Sequence, residues 1–148
     1  MAFVYTNADY LIKKQQLNLE TAGVLKAMLV DNTYVANQDD VNVSAASSAE
    51  IATTGYVGGF GGSGRKVLTG VVFAIDNANN RVTLFANNPT WASLATGETV
   101  HAMILIHENT TDADSVLVAY LDGVSDYVTN GDGLTVQLSN GFPFTTTT

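Results

Sequence analysis

The 148-residue chain has no cysteine. That removes disulfides, thiolate nucleophiles and thiolate zinc ligands together. It is also poor in cations, with six Lys and Arg against fourteen Asp and Glu and a formal net charge of −8. Binding to nucleic acid rests on Lys and Arg releasing counterions from phosphate. Six scattered cations make no such stripe, so no nucleic-acid partner is expected. Charged residues are only 14%, against about 25% in ordinary soluble proteins. Thr, Ser, Asn and Gly must therefore cover much of the surface, which suits packing against copies of the chain or a partner. The longest apolar run, residues 116–121, falls far short of the ~20 residues of a membrane helix, so no membrane partner is expected. Residues 1–20 carry no secretory apolar core, and Lys13 and Lys14 follow the apolar residues there. Synthesis in the cytosol is the expectation.

What is present is apolar: hydrophobic residues make up 46% of the chain. A single domain of this length buries roughly 68–70% of its unfolded surface, enough for one core. The pattern divides the chain into an N-terminal arm and short helix (1–23), a β domain (24–144) and a Thr-rich tail (145–148). Asn7 or Asp9 is placed to cap a helix running through Leu11 to Leu17. Residues 24–30 read as a first strand, 32–66 as irregular, and 43–51 as one or two helical turns. Six glycines between Gly55 and Gly64 predict flexible turns. Residues 67–75 read as a strand. Asp76-Asn77-Ala78-Asn79-Asn80 is the best hairpin turn, with a strand resuming at 81–86. Strands follow at 100–107, 116–121 and, by alternation, 134–138. Six or seven short strands with little helix predict a mainly β fold. The expected form is an antiparallel β-sandwich, jelly-roll or immunoglobulin-like, behind a short N-terminal arm and helix.

Each candidate chemistry has geometric needs that the sequence must meet. Gly59-Phe60-Gly61-Gly62-Ser63-Gly64-Arg65-Lys66 has the glycines of a phosphate loop. Arg65 and Lys66 stand where Lys and Ser/Thr are required, and a strand follows where a helix is needed. It reads as a hairpin tip or contact loop. His101 and His107 share a strand about 20 Å apart and cannot share a metal. No serine lies in a nucleophile elbow. The carboxylates at Asp39-Asp40, Asp112/Asp114 and Asp122/Asp126/Asp132 match no calcium loop and read as turn residues. No catalytic residue, metal site or cofactor is predicted, and the chain is expected not to be an enzyme. Trp91, single and large, is predicted to anchor the core.

An ordered series of landmarks runs along the chain. It begins with Lys26-Ala27-Met28-Leu29-Val30, Tyr34 and Asn37-Gln38-Asp39-Asp40. Glu50-Ile51, Thr54-Gly55-Tyr56, Leu68-Thr69-Gly70 and residues 76–81 follow. Asn88-Pro89-Thr90-Trp91, residues 101–107, Val118-Ala119-Tyr120-Leu121-Asp122, residues 134–138 and Asn140-Gly141-Phe142 complete it. The series, over about residues 24–144, resembles a family of small tailed-bacteriophage structural proteins found among head decoration and other virion components. The resemblance implies a β-rich fold, no catalytic site and assembly on a particle. The chain departs from the family in its long Gly-rich segment, 58–64, and its Thr-rich end.

The expected function is therefore that of a capsid decoration or cement protein, assembled in the host bacterial cytoplasm and bound to the outer surface of the virion shell. Its expected partners are the major capsid protein and copies of itself, with a homotrimer preferred. Phe3, Tyr5 and Tyr10 of the arm, Phe60 of the glycine loop, and Phe142 and Phe144 near the C-terminus are the candidate contacts. Deleting residues 2–16 is expected to abolish shell binding and leave a folded sandwich. The alternatives are a tail or head–tail junction protein, and a carbohydrate- or calcium-binding β-sandwich module.

Overall fold

A computed structural model describes residues 1–144. Strand outweighs helix, 36% to 10%, and the sheets are antiparallel, as the mainly β reading expected. The principal sheet has the order β1-β8-β7-β2-β3. Its centre is three long strands: β2 (Leu25–Val30), β7 (Thr99–His107) and β8 (Val116–Val128). Short strands β1 (Ala2–Val4) and β3 (Lys66–Val67) flank them. Across this sheet Phe3, Tyr120, Ile104 and Met28 lie in one row, and Val4, Ala119, Leu105 and Ala27 in the next. Adjacent rows point to opposite faces, yet all eight side chains are buried. Both faces are thus covered, which is why β2 and the middle of β7 read as apolar runs and not as alternation.

A second sheet has the order β10-β5-β4, formed by β4 (Val72–Asp76), β5 (Arg81–Phe85) and β10 (Phe142–Pro143). The turn between β4 and β5 is closed by the Asp76 carboxylate, which accepts from Asn79 and Arg81. β6 (Thr90–Trp91) pairs with β9 (Leu134–Thr135) as a two-stranded ribbon. Between β2 and β3 the chain is irregular apart from two 3₁₀ turns, Val43–Ala45 and Ser47–Ala49. These fall in the segment predicted to hold one or two helical turns.

Several expectations are corrected. Residues 67–75 are not one strand. Gly70, at φ +65°, turns the chain from β3 in the first sheet to β4 in the second, and Asn87 ties that corner to Thr69. The alternating residues 134–138 contribute only a two-residue strand. β8 continues seven residues past the predicted end at Leu121, because β7 supplies a partner as far as Val128.

Helix α1 (Thr6–Lys13) starts earlier than predicted, directly after Tyr5, with no side-chain cap. Asn7 and Asp9 lie inside it. Its start is set by Tyr5, which is buried and donates its N–H to Val118 O at 3.0 Å. Nor are residues 1–23 a free arm. β1 extends the main sheet, and the Tyr5 and Tyr34 hydroxyls bond at 2.9 Å. Tyr34 in turn donates to Asp40. The Phe3 ring stacks on Tyr120 at 5.3 Å. A deletion of 2–16 would remove Phe3, Val4, Tyr5 and Ala8 from the core, so it cannot leave the sandwich intact. The Thr-rich tail expected at 145–148 lies outside the described residues.

Candidate contact site

The glycine loop stands on Arg65. That side chain is 0% exposed, and an unpaired guanidinium there would carry a desolvation cost of several kcal/mol. All five of its N–H donors are used. Nε and Nη2 donate to Glu50 at 2.9 and 2.7 Å. Nη1 donates to Glu108 at 3.0 Å and Asp112 at 2.6 Å, and Nη2 reaches Asp112 at 3.1 Å. Glu108 also receives Lys26. Burial alone would lower the Arg65 pKa, but the bonds to Glu50, Asp112 and Glu108 outweigh it and hold the cation more firmly. Burial likewise opposes ionisation of Glu108, and the Lys26 and Arg65 bonds overcome it and pull its carboxyl below the usual range. The network joins the 3₁₀ turns, β2, the glycine loop and the segment after β7.

The loop itself is tied at several points. Glu50 accepts the Gly59 N–H at 2.9 Å and the Tyr56 hydroxyl at 2.9 Å. The Gly62 N–H bonds to Gly59 O and the Gly64 N–H to Val57 O, both at 2.9 Å. Trp91, fully buried, donates Nε1–H to Gly64 O at 2.6 Å. A Cβ at Gly62 would lie 2.2 Å from Val57 O, and one at Gly64 would lie 2.6 Å from the Tyr56 ring. These glycines serve close packing, where the sequence suggested only flexibility. At the outer side of this frame Val57 and Phe60 stay in solvent, Phe60 at 49%. A ring on a tethered backbone would lose little loop entropy if another surface covered it.

The other candidate contacts divide. Phe3, Tyr5, Phe142 and Phe144 are buried in this chain's own core: Phe3 and Phe142 lie in the paired strands β1 and β10, and the next residues, Tyr5 and Phe144, donate their N–H groups to Val118 O and Val82 O. They are not available as free contacts. Tyr10 is exposed, with Lys14 Nζ 5.2 Å from its ring centroid. Phe60 and Tyr10 are thus the two candidate rings left on the surface.

Two further features were not legible in the sequence. A groove of about 640 Å³ lies between the α1 region and the second sheet, lined chiefly by Ile12, Leu17, Leu19, Phe73, Val82 and Phe144. On the main sheet, His101 Nδ1 bonds to Asp126, and its Nε2 lies 3.9 Å from Asp122. Burial, with Asp122 and Asp126 nearby, pushes the Tyr120 hydroxyl up to about 12. The acidic pairs are engaged individually: Asp112 by Arg65, Asp114 by Thr110 and Thr111, Asp40 by Tyr34. Among the described residues no group of three His, Asp or Glu is placed to hold a metal ion, and no helix is long and apolar enough to cross a membrane.

The Arg65 network escaped sequence reasoning because its members come from four separated segments. One signal was present: an Arg directly after a glycine run, in a chain with only six cations. Comparison with known proteins finds no matching family model, curated protein or solved structure.

Proposed function

We propose that this chain is a non-enzymatic virion structural protein of the decoration or cement type. It binds the outer surface of a tailed-phage shell, contacts the major capsid protein and stabilises the particle as a homo-oligomer. The observation that carries the contact reading is the glycine loop: Phe60 held in solvent on a backbone tied down by Arg65, Glu50 and Trp91. The weakly charged surface and the ordered landmarks of residues 24–144 support the particle as the partner. A preorganised aromatic gains affinity because little loop entropy is lost on docking, and repeated copies add avidity.

The test is binding of purified protein to empty phage shells, followed by cosedimentation. Phe60→Ala should weaken binding by about 30-fold, the effect of an anchor worth about 2 kcal/mol, with the thermal midpoint unchanged. Binding equal to the parent chain would remove the loop from the interface. Rings or tubes from the protein alone, with no shell binding, would move it to the tail.

A further inference from the structure

The edges of the sheets are unequal. β3, β6 and β9 are two residues long. β10 carries Pro143, which cannot donate to a new strand. β1 is closed by Gln38, whose side chain donates to Val4 O and whose backbone O accepts the Thr6 N–H. The far part of β8 carries Asp122 and Asp126 and faces a register shift in β7, features that discourage pairing. β4 differs from these edges. It is five residues long, lies at the end of its sheet and holds no fully buried residue.

The Phe73 N–H points away from β5, since it donates to Glu20 Oε1 at 3.0 Å. Backbone groups alternate in direction along an antiparallel strand, so the Phe73 C=O and both polar groups of Ile75 also face outward. Ile75 is 77% exposed and lies opposite Val82, itself exposed. Phe73 meets Phe144 edge-on at 5.0 Å on the groove side. Ile75 shares that face.

We propose that β4 is a self-pairing edge, whose occupant is β4 of a second copy of this chain, antiparallel about a two-fold axis through Ala74. The pattern is self-complementary. In that register Phe73 faces Ile75 of the second copy and Ile75 faces its Phe73, so both pairs exchange two backbone hydrogen bonds. Each Ile75 then leaves water beside the other copy's Phe73 at the mouth of the groove. Charge permits the approach, because Asp76 is already paired with Arg81. Glu20, exposed and holding a single N–H, is the group displaced, and it acts as a plug that keeps the pairing weak and reversible. The contact is isologous and gives a dimer, not the trimer expected from the sequence. It does not depend on the shell-binding reading.

Sedimentation equilibrium of the full chain over a concentration series, with amide exchange at Phe73 and Ile75, tests it. The expected result is a monomer–dimer equilibrium reaching twice the 15.6 kDa chain mass, with both amides slowing as the dimer forms. Ile75→Lys should weaken the dimer by at least roughly tenfold, since symmetry places two ammonium groups in one contact. Glu20→Ala should strengthen it. Val35→Lys, at another exposed apolar position, should leave it unchanged. A chain that stays monomeric throughout, a trimer, or a dimer indifferent to Ile75→Lys would overturn the proposal. Shell binding by Phe60, measured separately, stands or falls by itself.

Discussion

At the foot of the glycine loop every donor of Arg65 meets a carboxylate, whereas along β4 the outward N–H of Phe73 meets only the exposed side chain of Glu20. The first region buries its polar groups and pairs them. The second leaves backbone groups and apolar side chains, Ile75 and Val82, in solvent. Buried paired charge is costly to disturb and holds a backbone in one shape. An exposed edge costs little to open or cover. One region is therefore suited to presenting a fixed contact, the other to reversible association.

The largest way to break this contrast is Arg65→Ala, which takes from Glu50, Glu108 and Asp112 the cation they share. It should cost about 3–5 kcal/mol of stability, read as a shift in the urea midpoint. A loss too small to detect would mean that water compensates the network. Acid should have the next largest effect. The Glu108 carboxyl is depressed in the folded state. Its stabilisation is therefore complete above the unfolded value of 4.5 and disappears as pH falls through the lower folded value. The Glu108 contribution should be constant above about pH 5 and fall below about pH 4, and Glu108→Gln should flatten that acid slope. An acid slope unchanged in Glu108→Gln would assign the loss to other carboxylates. Smallest is Arg81→Ala at the hairpin. Its bond to Asp76 lies at the surface, where ion pairs contribute little. The midpoint should hardly move, and a large shift would show the hairpin to be as tightly coupled as the loop.

Much of the β domain was legible because β-branched and apolar runs report burial directly. β2, β7 and the start of β8 fall where such runs stand. The turn at 76–80 was legible from its Asn and Asp residues. Trp91 was legible as a core residue by its size, but its bond to Gly64 was not. Tertiary pairing decided the rest. Residues 134–138 alternate well, yet only Leu134 and Thr135 find a partner strand. Phe3 and Tyr5 looked free to meet another chain, and β8 took them into the sheet.

The candidate contact site was half legible. Phe60 stood out as an aromatic among glycines. Its frame did not, because Glu50, Arg65, Glu108 and Asp112 are far apart in the chain and local pattern cannot show their meeting.

By itself the sequence determined the class of fold, the acidic and weakly charged surface, and the absence of thiol chemistry, since these follow from composition and periodicity. Only the tertiary structure decided which glycines are close-packed, which aromatics remain in water, and which strand edge lies open. Those outcomes depend on long-range pairing, where each residue's role is set by the segment folded against it.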